Sequence, residues 1–212
     1  LPFVSLNGIY GEFGAAVGVD EENCANLALD YLFSLGHRKI AYANSQTNIT
    51  ELSHYSVKER HRVYLKYMKD KCCPVMKCHN SHNISAVDFL KESVLKGGAT
   101  AVLAYDHTTA MHILNAAWRL GIPVPEKLSV MCFNDEYPAN ISVPPLTCVN
   151  IPSIEMGIKT AYLLLKQMEE GVWKKCRVEK VAGTLVIRES ACRQKQTVKC
   201  QDIIRYNGKT AF

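Results

Sequence analysis

Several features that would identify a membrane protein or a common enzyme class are missing from this sequence. No apolar run approaches the roughly 18 residues needed to span a bilayer, and no signal peptide is visible in the given sequence. The G-x-S-x-G, H-E-x-x-H, Walker A and G-x-G-x-x-G patterns are also absent. The sequence therefore predicts neither a transmembrane helix nor the catalytic and nucleotide-binding loops that those patterns mark.

The composition is that of an ordinary globular protein, with 212 residues of which 48% are hydrophobic and 21% are charged. This length suits one large or two small domains. Most of the net charge of +5 comes from residues 191–212, so the rest of the chain is close to neutral. We expect residues 191–212 to be a solvated basic tail rather than a nucleic-acid site.

The nine cysteines do not form the pattern of a secreted disulfide framework. Two of them, Cys24 and Cys132, fall in predicted helix and strand positions, where cysteine behaves as a small hydrophobe. Free thiols and a cytoplasmic location are therefore predicted. Cysteines and histidines cluster between residues 72 and 82, but their spacing matches neither C-x2-C nor H-x3-H, so no metal site and no cofactor is predicted.

Strand and helix patterns alternate along almost the whole chain, which predicts an α/β fold with a doubly wound parallel sheet. Asp20 and Ser153 are placed to cap helices, and Gly36 to end one. The predicted strands are 3–6, 39–43, 74–78, 101–105, 128–133, 147–151 and 184–187, with a brief apolar segment at 16–19, and the predicted helices are 20–35, 56–69, 86–96, 107–120 and 153–171.

Polar residues follow two consecutive apolar strands of this pattern. Tyr105 and Asp106 end one strand, and Asn134 and Asp135 end the next. Open parallel sheets bind ligands at the carboxyl ends of their strands, so these residues indicate a cleft for a small polar molecule. Asp106 also suits the N-cap of the helix that follows, which is the stronger interpretation for that residue. Tyr105 is expected either to stack on a ligand ring or to pack.

Arg60 and Ser56 lie four residues apart at the start of the predicted helix 56–69, so they share a helix face. This helix follows strand 39–43, which brings both side chains to the same edge of the sheet. An arginine guanidinium makes bidentate contacts with hydroxyl or carboxylate groups. Both are candidate ligand-binding residues, and a surface arginine is the alternative.

The order and spacing of several segments resemble the core of the lactose-repressor/galactose-repressor (LacI/GalR) family of transcriptional regulators. The resemblance runs from residue 1 to about residue 190. It is carried by Val17-Gly18-Val19-Asp20, Leu35-Gly36-His37-Arg38-Lys39-Ile40-Ala41, Gly121-Ile122-Pro123-Val124-Pro125, Leu128-Ser129-Val130, Pro144-Pro145-Leu146-Thr147 and Thr184-Leu185-Val186-Ile187-Arg188-Glu189-Ser190.

The resemblance implies a type I periplasmic-binding-protein-like fold with two α/β subdomains, three crossovers and an effector in the cleft between them. The chain is expected to be a fragment with an incomplete N-terminal subdomain, without the helix-turn-helix that reads operator DNA. The implied division is a remnant of the N-terminal subdomain at 1–19, the C-terminal effector-binding subdomain at 20–148, a return segment of the N-terminal subdomain at 149–180, the last strand at 181–190 and the basic tail at 191–212.

The resemblance also assigns roles to individual residues. Arg60 matches the arginine that family members direct at the effector, and Ser56 lies at a contributing position. Asn7 falls where sugar-binding relatives often have an acidic residue, Tyr105 replaces a usual asparagine before Asp106, and Asn134 replaces an acidic residue. The expected ligand is a sugar or another polar metabolite in a cleft less anionic than usual.

Three functions are compatible with these patterns. The first is the effector-binding and dimerisation region of a repressor, which would act as a homodimer and contact DNA only through the missing domain. The second is the solute-binding protein of a sugar transporter. The third is an enzyme using Asp106, Asp135 or Arg60, with the two aspartates as a possible acid–base pair, and it has the least support because no catalytic motif accompanies them. The apolar stripe Met111, Leu114 and Trp118 is expected to be a core face first and a dimer contact second.

Overall fold

A computed structural model describes residues 1–8, 12–44, 53–76, 79–80, 85–134 and 137–194. The strands are β1 (Val4–Leu6), β2 (Ala15–Val19), β3 (Ile40–Asn44), β4 (His79–Asn80), β5 (Ala101–Ala104), β6 (Ser129–Phe133), β7 (Thr147–Asn150), β8 (Arg177–Val181) and β9 (Thr184–Val186). The helices are α1 (Glu21–Ser34), α2 (Tyr55–Asp70), α3 (Ala86–Leu90), which continues as a π-helical turn (Lys91–Lys96), α4 (His107–Arg119), α5 (Tyr137–Ile141) and α6 (Ser153–Glu170).

The strands form two sheets, and parallel pairing dominates both. The smaller sheet has the order β1-β2-β8 and is parallel throughout. The larger sheet has the order β4-β3-β5-β6-β7-β9, and β9 alone among its described strands runs antiparallel, with Cys148 opposite Val186. The predicted α/β class and parallel sheets are confirmed. The subdomain boundaries that the resemblance implied stay predictions.

Helices cover both faces of the larger sheet, which explains why its central strands are buried along their whole length. Every residue of β3, β5 and β6 is buried, as expected of parallel strands between two helical layers. Leu29 of α1 and Tyr64 of α2 pack on one face. Phe89 of α3 and Ile113 of α4 pack on the other face. The smaller sheet is covered by α6, which contacts β1 and β2.

Most predicted helix ends are confirmed by their hydrogen bonds. Asp20 caps α1 by accepting from the Asn23 backbone N–H, and Gly36 follows α1 with φ +95°. The prediction that Ser153 caps the last helix is wrong, because Pro152 is the cap residue and Ser153 already lies in the first turn. Proline has no side-chain acceptor, so this end of the helix has no side-chain cap.

The strand predicted at residues 74–78 is wrong over its described part, because residues 74–76 are irregular and β4 begins at His79. Pro74 cannot donate to a ladder, and the Met76 N–H donates to the Tyr64 hydroxyl instead of to a neighbouring strand. The sequence also missed β8 and α5. Four of the five residues of β8 are exposed, so the strand lacks the apolar pattern that reveals a buried strand.

The stripe of Met111, Leu114 and Trp118 is not a core face. Leu114 is buried, but Met111 is 38% exposed and Trp118 is 81% exposed. The buried face of α4 is made by Ala110, Ile113, Leu114, Ala116 and Ala117. Three of these five residues are alanines, whose weak apolar signal did not reveal this face in the sequence.

No helix within the described ranges is both long and apolar enough to cross a bilayer. Cys24, Cys132 and Cys148 are buried, and none of the three forms a disulfide with another described residue. Of the Cys/His cluster at 72–82, Cys72 is exposed and Cys73 half-buried, whereas Cys78, His82 and the side chain of His79 lie outside the described residues.

His37 joins the segment after α1 to Thr100 and Cys192, and its burial predicts a pH-dependent stability. It is 2% exposed, its Nδ1 lies 2.9 Å from Thr100 Oγ1, and its Nε2 donates to the Cys192 carbonyl over 3.1 Å. Burial lowers the pKa of His37, so the unfolded chain takes up a proton at higher pH than the folded chain does. The free energy of unfolding should therefore fall as pH drops below about 6.5, the usual histidine pKa.

Urea unfolding at pH 7.5 and pH 5.5 measures this effect. We expect His37→Gln to reduce the difference between the two pH values and to lower stability at pH 7.5. Burial also lowers the pKa of His61. His61→Gln therefore serves as the comparison, and it should reduce the stability difference between the two pH values by the contribution of His61. If the pH difference were unchanged in His37→Gln, then His37 would not titrate as its burial implies.

Candidate ligand-binding cleft

A cavity of about 380 Å³ lies between the two sheets, at the carboxyl ends of their strands. This volume falls within the range of small-molecule sites. The smaller sheet contributes residues that follow β1 and end β2, and the larger sheet contributes residues at the ends of β5, β6 and β7. The described lining residues are Asn7, Val19, Glu21, His54, Ser56, Arg60, Tyr105, Asn134, Asn150, Ile151 and Ser153.

Arg60 is the only arginine among these lining residues, and it is held by three hydrogen bonds. Its Nε and Nη2 donate to the two carboxylate oxygens of Glu21 over 2.5 and 3.0 Å, and its Nη1 donates to the Tyr105 carbonyl over 2.8 Å. The guanidinium also lies 4.3 Å from the centre of the Phe133 ring. Burial alone would lower the pKa of Arg60, but the hydrogen bond and charge of Glu21 outweigh it and raise the pKa. Arg60 is therefore charged and fixed.

A second network joins the start of α2 to both sheets. Ser56 Oγ lies 2.8 Å from the Tyr105 hydroxyl and 2.7 Å from His54 Nδ1. His54 Nε2 donates to the Asn7 carbonyl over 2.7 Å, while the Ser56 backbone N–H donates to His54 Nδ1. These partners suit a ring that carries its hydrogen on Nε2. Tyr105 thus has a hydrogen-bonded position rather than one set by packing alone.

Tyr55 is not a lining residue of the cavity, but it contacts two residues that are. Its hydroxyl accepts from the Val19 N–H over 3.0 Å, and it lies 3.4 Å from Asn7 Oδ1 and 3.3 Å from the Val19 carbonyl. Burial raises the pKa of Tyr55 to about 12, so the group stays a neutral donor. The hydroxyl therefore links α2 to β2 and to the turn after β1.

Two asparagines of the cleft have left-handed backbone conformations, with φ +59° at Asn7 and φ +67° at Asn134. Asparagine adopts this conformation more readily than most residues. Each follows the carboxyl end of a strand, so the turn holds the amide side chain at the cavity. The same amide both donates and accepts, which suits hydroxyl groups.

The structure brings together five of the six site residues that the sequence predicted: Asn7, Ser56, Arg60, Tyr105 and Asn134. Asp106 does not line the cavity, because its carboxylate accepts from the Thr109 N–H over 2.7 Å and caps α4. Asp135 lies outside the described residues. Sequence reasoning missed Glu21, His54, Asn150 and Ser153. Glu21 resembled an ordinary acidic residue in the first turn of a helix, so only its position opposite Arg60 reveals it.

The described lining combines amide and hydroxyl groups with one internally neutralised ion pair. Groups of this kind bind a ligand that presents several hydroxyls. Among the described residues, no three His, Cys, Asp or Glu side chains lie together as a metal site would require. The arrangement is that of a binding cleft.

Comparison with known families agrees with this geometry. Residues 29–191 match the model of the periplasmic binding protein-like domain. The chain is 26% identical over 187 residues to the NTD biosynthesis operon regulator NtdR of Bacillus subtilis, covering 82% of this chain and 53% of that protein. It is 30% identical to the HTH-type transcriptional regulator GalR of Streptococcus thermophilus, covering 72% and 47%. The chain thus spans about half the length of these relatives.

Solved structures show the same fold. A LacI family transcriptional regulator from Enterococcus faecium with bound ribose superposes with a TM-score of 0.75 at 22% identity, covering 92% of this chain and 72% of that one. The CelR–cellobiose complex, also a transcriptional regulator, superposes with a TM-score of 0.74 at 24% identity, covering 90% and 59%. At these identities the likeness establishes the fold.

Proposed function

This chain belongs to the family of periplasmic binding protein-like domains, and we propose that it is the effector-binding part of a LacI/GalR-type transcriptional repressor. The observation that carries the proposal is the cavity between the two sheets, lined by amide and hydroxyl groups at the carboxyl ends of their strands. In this role a ligand in the cleft would bias the relative position of the two sheets and so the DNA affinity of the complete protein.

The proposed effector is a sugar or a similar polyhydroxylated metabolite. Three asparagines, Asn7, Asn134 and Asn150, surround the cavity and suit hydroxyl recognition. Ribose and cellobiose occupy solved regulators with this fold. The names of the matched relatives favour a regulator in the cytoplasm over the alternative, a solute-binding protein of a sugar transporter. We expect binding without turnover.

A thermal-shift screen of monosaccharides, disaccharides and nucleosides tests this function. A ligand at 100 times its Kd stabilises the folded state by about 2.7 kcal/mol, which raises Tm by roughly 5–10 °C for a chain of this size. Asn134→Gly should abolish that shift, because it removes the amide and keeps the left-handed backbone. Asn115→Ala, on the exposed face of α4, is the matched control and should keep the shift.

Two outcomes would contradict the proposal. One is the absence of stabilisation by every sugar and nucleoside tested. The other is a full shift in Asn134→Gly, which would mean that the ligand binds outside this cleft.

We also propose that the chain forms a homodimer through α4 and α5. These two helices contact each other and expose an apolar surface, which consists of Met111, Trp118, Tyr137, Ile141 and the neighbouring Val143. Exposed apolar patches of this kind mark interaction sites, and symmetric dimers are the commonest assemblies. It includes Met111 and Trp118, the two exposed residues of the α4 stripe for which a dimer contact was the second interpretation.

Light scattering after size exclusion measures the expected dimer. Trp118→Glu should reduce the mass to that of the monomer, because it places a charge in the centre of an apolar contact. Leu95→Glu, an equally drastic change at a residue that is 58% exposed elsewhere, should leave the dimer intact. A monomeric unsubstituted chain at all concentrations would disprove the assembly.

A further inference from the structure

Two charged residues of the cleft form an ion pair with each other, so neither charge is left unpaired to meet a ligand. Glu21 and Arg60 both line the cavity, yet they are only 2% and 4% exposed. The carboxylate occupies the bidentate edge of the guanidinium with bonds of 2.5 and 3.0 Å. This edge is the one that would otherwise grip a carboxylate or a phosphate.

Glu21 therefore changes what Arg60 can recognise. An anionic ligand would have to displace the Glu21 carboxylate from the guanidinium or approach it while the carboxylate remains. The second arrangement places two negative charges within a few ångströms in a poorly screened site, and like charges at that distance repel strongly. An uncharged hydroxyl meets no such repulsion.

The other described lining residues do not restore a positive charge. Asn7, Ser56, Asn134, Asn150 and Ser153 are uncharged, and both ring nitrogens of His54 are already engaged by Asn7 and Ser56. Their amides and hydroxyls remain suitable for a neutral ligand. The Glu21–Arg60 pair thus sets the balance of charge in the part of the cleft that the structure describes.

We propose that Glu21 is a specificity-determining residue, which makes the cleft select an uncharged polyhydroxylated ligand and reject its phosphorylated or carboxylated counterpart. This inference rests on the proposed function, because it concerns the ligand class of the same cleft. It assigns Arg60 the role of a partner neutralised by Glu21 rather than that of an anion receptor.

Inorganic phosphate is the probe, because it tests the charge of the cleft without any sugar having to bind. Tm is measured in phosphate and in chloride at equal ionic strength for the unsubstituted chain, Glu21→Gln, Glu21→Asp and the double variant Glu21→Gln/Arg60→Gln. We expect phosphate to stabilise Glu21→Gln by several degrees relative to chloride. The other three proteins should show no difference, since Glu21→Asp keeps the negative charge and the double variant lacks the positive one.

A second variant covers the case in which Glu21→Gln does not fold. Asn150→Lys adds a positive charge to the cavity while it keeps the Glu21–Arg60 pair, and it should gain the phosphate response. Stabilisation of the unsubstituted chain by phosphate, lost in Arg60→Gln, would overturn the proposal. So would the absence of a response in whichever of Glu21→Gln and Asn150→Lys folds.

The sugar screen is read separately from the phosphate measurement. If phosphate behaves as expected but no sugar binds, the proposed function fails while the charge selectivity holds. If a phosphorylated sugar stabilises the unsubstituted chain as well as its neutral counterpart does, the selectivity fails while the binding function holds.

Discussion

Replacing Arg60 with methionine should destabilise the protein by about 3–5 kcal/mol, the usual cost of leaving one partner of a buried ion pair uncompensated. Glu21 would keep its carboxylate at 2% exposure without the two bonds that now satisfy it. The Tyr105 carbonyl would lose its donor as well. Since domains are typically stable by only 5–15 kcal/mol, urea unfolding will show a large fall in the midpoint.

Two controls separate the buried pair from arginine loss in general. Arg62 lies on the same helix and bonds Glu59, but it is 50% exposed, so Arg62→Met should cost less than about 1 kcal/mol. The double variant Glu21→Gln/Arg60→Met removes both charges and should recover part of the loss. Equal costs for Arg60→Met and Arg62→Met would show that the Glu21 carboxylate is hydrated in solution.

Gly183→Ala is the second substitution with a large expected effect. A Cβ at this position would lie 2.8 Å from the Asn150 carbonyl oxygen, from Cys24 Sγ and from Val149 Cγ1. These atoms belong to β7 and α1, which cannot both move away without disturbing the β7–β9 pairing. Overpacking of this kind costs about 1–3 kcal/mol or more. Because Asn150 lines the cavity, the substitution should also weaken sugar-dependent stabilisation.

Gly157→Ala is the matched control, and its effect should have the opposite sign. Gly157 lies within α6, where a Cβ would have no atom within 4 Å. Alanine is favoured over glycine in a helix by about 1 kcal/mol, so Tm should rise. Thermal unfolding of both variants, with and without a sugar found in the screen, measures the two effects. A Gly183→Ala variant as stable as the unsubstituted protein would mean that the turn between β8 and β9 relaxes freely.

The fold was largely predictable because its strongest signals are local. β5 and β6 are continuous apolar segments bounded by caps, and Asp20 and Asp106 mark helix starts that hydrogen bonds confirm. The predictions failed where the local sequence pattern of a residue or strand does not match its burial in the tertiary structure. Trp118 has the spacing of a core residue and lies 81% exposed, and β8 is a strand without an apolar face.

The residues of the candidate site also fall into those that the sequence predicted and those that only the tertiary structure shows. Polar residues at strand ends were predictable, because parallel strands bring their carboxyl ends to one edge. Five of the six predicted residues therefore line one cavity. Asn150 and Ser153 reach it only because the chain crosses from the larger sheet to α6 at that point. No spacing rule connects them to Asn7, which is more than 140 positions away in the chain.

By itself, the sequence determined the α/β class, the order of most strands and helices, and the strand ends at which a ligand would bind, because hydrophobic period and capping act within a few residues. Only the tertiary structure decided what Arg60 faces. Glu21 is 39 positions away from Arg60 in the chain. The approach of α1 to α2 places its carboxylate on the edge of the guanidinium that the sequence analysis predicted to contact a ligand. The pairing depends on how two helices pack on one sheet face, and that packing is a property of the whole fold.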